Sequence, residues 1–177
     1  MTKKFQVLGI GNAIVDILIQ SNDKFLSRYN IKKGVMQLVN LDRAKTLYSK
    51  FGSKPEVSGG SGANTIYGLA SLNVNTCYIG KVKNDALGNR FKTDLLNMNI
   101  HYATKLSDKR SLDETGRCVV FVTPDGERSM NTYLGVTEHL HENDIDDECI
   151  KKSEWIYLEG YRFDGPDSEL AFNKAIK

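Results

Sequence analysis

The sequence predicts an α/β fold with a mostly parallel sheet and a second, smaller β-sheet. Three observations carry this. Short apolar runs alternate with helical patterns, the order that builds crossover units around a parallel sheet. Strand-like segments near 13–20, 35–39 and 116–134 come without intervening helices, so they form a sheet of their own. A glycine-rich stretch, Val57-Ser58-Gly59-Gly60-Ser61-Gly62-Ala63-Asn64-Thr65, opens directly into a helical pattern. At 177 residues the chain is long enough for one domain with a sizeable core.

Phe5 to Ile10 reads as a buried first strand, ending at Gly9-Ile10-Gly11-Asn12. A second apolar run, Ala13 to Ile19, carries Asp16 in its middle. Ser21-Asn22-Asp23 offers caps for a short helix over Lys24 to Tyr29, and a strand follows Gly34 over Val35 to Val39. Asn40 caps a further helix that Gly52 ends. Pro55 to Ser58 leads into the glycine loop, whose helix places Ile66, Leu69 and Ala70 at helical spacing. Cys77 to Gly80 is a short strand, and Asp85 to Met98 a helix. Gly116 to Thr123 and Arg128 to Leu134 flank Thr123-Pro124-Asp125-Gly126, a turn signal for a hairpin. Trp155 to Leu158 reads as a further buried strand, and Pro166 as the first turn of a last helix.

Composition narrows the function. Net charge is +2, with 24 basic and 22 acidic residues interspersed, which argues against a nucleic-acid footprint. The acidic run from Glu138 to Glu148 reads as a solvated helix start. No apolar run is long enough for a membrane span, so no membrane partner is expected. Cys77, Cys118 and Cys149 are odd in number and widely spaced, as expected of reduced thiols in a cytoplasmic protein.

Among candidate site residues Asp16 stands out, because an unpaired carboxylate within Ala-Ile-Val-Asp-Ile-Leu-Ile is costly to bury. Two readings follow: an Asp paired with a nearby donor, or one that accepts from two neighbouring hydroxyls of a polyol. Asn12 is either a turn-former or a pocket amide at a strand's C-terminal end, where open α/β sheets bind ligands. The glycines at 59, 60 and 62 permit close approach of backbone to ligand, and Asn64 adds a two-way amide. Arg128 is an exposed hairpin charge or a planar donor to a polar ligand. His139 and His141 lie beside a run of Glu and Asp and read as surface residues, and Cys118 as a buried, inert thiol. Neither G-x-x-x-x-G-K-[ST] nor G-x-S-x-G occurs in the chain.

Several segments together resemble the PfkB (ribokinase-like) carbohydrate kinase family, in its adenosine-kinase-like branch. They are Gly11-Asn12-Ala13-Ile14-Val15-Asp16-Ile17-Leu18, Gly59-Gly60-Ser61-Gly62-Ala63-Asn64-Thr65-Ile66, Asp85-Ala86-Leu87-Gly88, Thr115-Gly116-Arg117-Cys118 and Glu127-Arg128-Ser129-Met130-Asn131-Thr132-Tyr133-Leu134-Gly135. Leu158-Glu159-Gly160-Tyr161 looks like another family strand. Ile66, where the general pattern prefers a small residue, is a departure that points toward the nucleoside-linked branch.

The resemblance implies a ribokinase-like α/β/α core with a small β-sheet lid and ATP- and Mg²⁺-dependent phosphorylation of a nucleoside or sugar hydroxymethyl group. Carried over by position, Asp16 would hold ribose hydroxyls, and Asn12, Gly59, Gly60 and Asn64 would complete the sugar pocket. Met36, Leu38 and Met130 would form its apolar wall, with Arg128 and Tyr161 near its mouth. The family's catalytic aspartate lies in a Gly-Ala-Gly-Asp motif, and none occurs here. The 177 residues are therefore expected to be the sugar-binding, N-terminal portion of a kinase, inactive without a complementing C-terminal half. ATP and Mg²⁺ belong to the complete enzyme, with no binding motif for either in this chain. A non-catalytic binding module and an eroded remnant are the alternatives. Pairing of two copies through the lid is a further expectation.

Overall fold

In a computed structural model, residues 3–51, 55–108, 112–162 and 165–177 are described. Nine strands form two sheets among them. The first has the order β6(His101–Tyr102)-β5(Thr76–Ile79)-β1(Phe5–Ile10)-β9(Ser153–Leu158) and is parallel throughout. The second has the order β3(Met36–Leu38)-β8(Arg128–Tyr133)-β7(Gly116–Val122)-β2(Ile14–Gln20)-β4(Glu56–Gly59). It is mixed: β2–β7 and β3–β8 run parallel, β7–β8 and β2–β4 antiparallel.

Helices cover both faces of the first sheet. On one side α3(Ser61–Ser71) and α4(Ala86–Asn97) bring Ala63, Ile66, Leu87, Phe91 and Leu95 against Tyr78. On the other, α5(Asp147–Lys151) and α6(Pro166–Ile176) pack Cys149, Ala171 and Phe172 against Leu8, Ile10 and Cys77. This is the α/β/α core the resemblance implied. Fully buried side chains of this size each contribute about 1.5–3 kcal/mol. One face of the second sheet is likewise closed by α1(Asp23–Arg28) and α2(Leu41–Ser49), where Leu26 and Leu47 meet Ile17, Ile19, Val119 and Phe121. Its other face carries no helix among the described residues.

Short polar side chains start most helices. Asn22 Oδ1 accepts from Phe25 N–H at 2.9 Å and Asn40 Oδ1 from Arg43 N–H at 2.9 Å. Asp85 does more. One oxygen caps α4 at Gly88 N–H (2.8 Å) and accepts from Thr115 Oγ1 (2.7 Å), while the other accepts from Thr115 N–H (2.9 Å). Two segments far apart in sequence, Asp85–Gly88 and Thr115–Cys118, thus form one joint at the foot of the second sheet. Gly88 is required there, since a Cβ would lie 1.9 Å from the Lys83 carbonyl.

Differences from expectation have local causes. β4 was read as a lead-in to the loop, and its four residues find strand geometry only by pairing antiparallel with β2. The two-residue β6 is likewise held by its neighbour β5. Trp155 to Leu158 was expected to be buried, yet Trp155 is 73% exposed, because β9 is an edge strand that pairs only with β1 among the described residues. The acidic stretch forms two 3₁₀ turns, Gly135–His139 and Glu142–Asp144, before α5 begins. Gly52, read as the end of α2, lies outside the described residues, and the helix closes at Lys50.

Asp85→Ala removes a cap and two charge-assisted hydrogen bonds, and is expected to cost about 2–4 kcal/mol. For a chain of this size the thermal midpoint falls by roughly 5–12 °C. A loss under about 2 °C by differential scanning calorimetry contradicts the joint. Gly68→Ala, in mid-helix where a Cβ meets nothing within 4 Å, should instead stabilise by about 0.5–1 kcal/mol.

Candidate functional site

The C-terminal ends of β1 and β9 and the start of α3 converge on the carboxylate of Glu159. This residue is 3% exposed and accepts from Asn12 N–H at 2.8 Å, Gly62 N–H at 2.7 Å and the Ser61 hydroxyl. α3 has no side-chain cap of its own at Gly60, so Glu159 supplies one from across the sheet, where negative charge also complements the helix dipole. Glu159 was legible in the sequence only as part of a strand segment. The available signal was a carboxylate directly after an apolar run.

The glycine stretch is less a loop than expected. Only Gly60 lies outside regular structure: β4 ends at Gly59 and α3 starts at Ser61, so Gly62, Ala63 and Asn64 form the first helical turn. Gly60 has φ +96° and its Cα faces the Asn12 carbonyl, 2.4 Å from where a Cβ would stand. Backbone conformation and close approach both demand glycine there. Asn12 in turn accepts from the Tyr78 hydroxyl at 2.7 Å through its carbonyl. Its side-chain Oδ1 is buried without a hydrogen-bond partner, an acceptor left waiting for a donor.

Strand register places the remaining candidates. Val57, Asp16, Cys118, Thr132 and Leu38 line up across the second sheet from β4 to β3. The next rows are Leu18, Val120, Met130 and Met36, then Gln20, Val122 and Arg128. Because side chains alternate along a strand, all of these share the face without a helix. Asp16, Met36, Leu38, Met130 and Arg128 therefore lie on one surface. Met36 and Leu38 are exposed there, at 54% and 63%. The Asp16 carboxyl lies over Gly59, whose Cβ would stand 2.4 Å from Asp16 Cγ.

Asn12, Asp16, Gly59 and Gly60 are thus brought into one cluster. Asn64 is exposed on the first turn of α3, and Tyr161, 73% exposed, follows Glu159 in a 3₁₀ turn. Neither makes a side-chain hydrogen bond among the described residues. His139 and His141 do not act together: His139 Nε2 pairs with Asp113 at 2.9 Å, and His141 caps the Glu142–Asp144 turn. Cys118 accepts from Thr132 Oγ1 at 3.2 Å, and burial pushes its thiol up to about 12, as fits an inert thiol.

Asp16 accepts no hydrogen bond among the described residues, so the pairing with a protein donor weighed from sequence is absent. Burial raises its carboxyl to about 6, and only the Arg128 guanidinium opposes this. A half-buried carboxylate and an unsatisfied amide oxygen in one cluster are chemically able to accept from hydroxyl donors.

A two-sheet α/β/α protein whose acceptor cluster lies between the core sheet's C-terminal edge and a helix-free β-face is of the ribokinase-like class. The pfkB family carbohydrate kinase profile matches residues 41–177, and the chain belongs to that family. It is similar to the adenosine kinase from Sinorhizobium meliloti, 46% identical with TM-score 0.88, covering 97% of this chain and 52% of that one. It is similar also to a probable sugar kinase protein from Rhizobium etli CFN 42, 40% identical with TM-score 0.88, covering 98% of this chain and 52% of the other. Adenosine kinase 2 of Arabidopsis thaliana is 29% identical over 168 residues, 88% of this chain and 46% of that protein. The chain therefore spans about half the length of these relatives. No described helix is long and apolar enough to cross a membrane.

The raised Asp16 value has a sign that can be tested. The folded carboxyl binds its proton up to about pH 6, the unfolded one only to its ordinary value of 3.8. Stability contributed by this group therefore falls as pH rises from 3.8 to about 6, and the full penalty stands above that. Asp16→Asn should be more stable than wild type at pH 7.5 by about 1–3 kcal/mol, the range discounted for partial solvent screening. The gain should vanish near pH 3.5. Urea denaturation at both pH values decides it: equal stabilities at pH 7.5 contradict the reading.

Proposed function

We propose that this chain is the nucleoside-binding portion of an adenosine-kinase-like enzyme, one that transfers the γ-phosphoryl group of ATP to a hydroxymethyl oxygen. The observation that carries the reading is the Asp16 carboxylate, half-buried without a protein donor and set over Gly59 beside the orphaned Asn12 Oδ1. The vicinal hydroxyls of a ribose would donate to the two Asp16 oxygens, and a third hydroxyl would donate to Asn12 Oδ1. Close approach of the Gly59–Gly60 backbone lets the sugar lie against the main chain. Met36, Leu38 and Met130 provide the apolar wall for a nucleobase, with Arg128 and Tyr161 toward the mouth and Asn64 at the rim. Association of two copies through the exposed Met36 and Leu38 belongs to the same reading.

In this reading ATP and Mg²⁺ belong to the complete enzyme, and the two carboxylates of the candidate site do not hold the cation. A hard cation needs free carboxylate oxygens, whereas Glu159 is engaged by three donors and Asp16 faces the sugar pocket. No Gly-Ala-Gly-Asp anion cradle occurs in the 177 residues. The chemical step is accordingly assigned to segments outside these residues, and this chain's own part is to bind and orient the acceptor. Alone it binds without turnover. A polypeptide carrying the cradle, paired along the open edge of β9, restores phosphorylation.

Calorimetry with adenosine, 2′-deoxyadenosine, inosine, ribose and fructose tests this. Adenosine is expected to bind, 2′-deoxyadenosine at least about tenfold more weakly because it leaves an Asp16 oxygen unpaired, and Asp16→Ala not measurably. Equal affinity for the deoxy compound, or unimpaired binding by Asp16→Ala, contradicts the proposal.

A further inference from the structure

Cys77, His101 and Cys149 meet on the opposite side of the molecule's chemistry, in a cluster the nucleoside site does not use. Cys77 of β5 and His101 of β6 are direct partners in the parallel ladder, so their side chains leave the sheet on the same face. α5 covers that face and delivers Cys149. The two sulfurs and an imidazole nitrogen all lie within 4.8 Å of one another. Both cysteines are buried and unbridged, whereas His101 is exposed. The His101 ring stacks on Phe5, with centroids 5.2 Å apart, and has no hydrogen-bond partner among the described residues. A groove of about 450 Å³, lined by Lys4, Phe5, Ile100 and His101 among others, opens beside it.

We propose that Cys77, His101 and Cys149 form a three-ligand site for a soft divalent cation of the zinc class. Two thiolates and one imidazole are a donor set for such an ion, with water completing a tetrahedron. Zn–S bonds near 2.3 Å and Zn–N bonds near 2.0 Å require donor separations of roughly 3.5–3.8 Å. Donor atoms within 4.8 Å of one another therefore have to close by no more than about 1.0–1.3 Å. His101 has the freedom to do so: it is exposed, on a two-residue edge strand, with its ring nitrogens unengaged. Charge is also accommodated. The Asp146 carboxylate acts on all three residues, and Lys4 and Lys152 act on Cys149, so the ion and its thiolates sit among charges of both signs. Sequence spacing hides the site, since the ligands are 24 and 48 residues apart and only the β5–β6 pairing and the docking of α5 assemble them.

The site is separate from the nucleoside pocket: Cys77 pairs with Leu8 in mid-strand, on the α5–α6 face. A cation there would tie the short edge strand β6 and the short helix α5 to the core sheet, and add stability by mass action.

Cobalt titration of the reduced, chelator-treated chain tests the proposal, in buffer with a non-chelating phosphine reductant. The expected result is one equivalent of Co²⁺ per chain, with a thiolate-to-cobalt charge-transfer band and the visible bands of tetrahedral cobalt, all displaced by Zn²⁺. Cys149→Ser should abolish the charge-transfer signal or cut it to that of one thiolate. His101→Ala, an exposed position whose loss leaves the core intact, should weaken binding about tenfold or more. Cys118→Ser, in the other sheet, should leave the signal unchanged. If Cys149→Ser folds poorly, His101→Ala alone decides, read also as loss of the Zn²⁺-dependent rise in thermal midpoint. No stoichiometric cobalt binding by the reduced chain, octahedral cobalt bands without charge transfer, or undiminished affinity in His101→Ala each overturns the proposal.

Discussion

One buried carboxylate organises the end of the molecule where the candidate site residues cluster. Glu159 follows β9, yet its partners are the backbone N–H groups of Asn12 after β1 and Gly62 in α3, together with the Ser61 hydroxyl. A charge buried to this degree persists only when its oxygens are filled by donors. That requirement fixes three chain segments relative to one another, and the neighbouring glycines follow from it. Gly11 has no room for a Cβ, which would lie 2.6 Å from a Glu159 oxygen. Gly60 turns the chain into α3 in the left-handed region with the Asn12 carbonyl against it.

Asp16 is the counterpart, held in place but left without donors. The contrast between these two carboxylates is the physical content of the site. Glu159 spends its hydrogen-bonding capacity on the scaffold. Asp16, on a strand of the second sheet, keeps its capacity unfilled, and burial raises its affinity for its proton. Such a group lowers the stability of the free chain at neutral pH, and the proposed nucleoside pocket, whose ligand would bring the donors, would account for the burden. In the proposed site the two sheets would divide the work: the core sheet and α3 would supply backbone and Asn12, and the helix-free face Asp16, Arg128 and the apolar residues beside it.

Much of this was legible in the sequence, for reasons that differ by element. The buried strand β1, the amphipathic α4 and the Pro124–Gly126 hairpin carry their own local signals, so periodicity and turn chemistry were sufficient. Asp16 was legible because a carboxylate inside an apolar run demands an explanation. β4 and β6 were not, since both are short and owe their geometry to a neighbouring strand. The joint between Asp85 and Thr115 was visible only as two unrelated segments, because hydrogen bonds across 30 residues leave no spacing to read. Trp155 misled for a related reason: an apolar residue on a strand signals burial only if something covers the strand. The assignment to the pfkB family rested on segments whose order, more than any one motif, was informative.

The most direct test of the central claim is the titration of the Asp16 carboxyl carbon by NMR, with and without adenosine. In the free chain the group should titrate near 6, and binding should move it down by at least about one unit, because hydroxyl donors favour the ionised form. By linkage, adenosine affinity should rise with pH across the same range. An Asp16 signal that titrates near its ordinary value in the free chain, or that does not respond to saturating adenosine, would contradict the account.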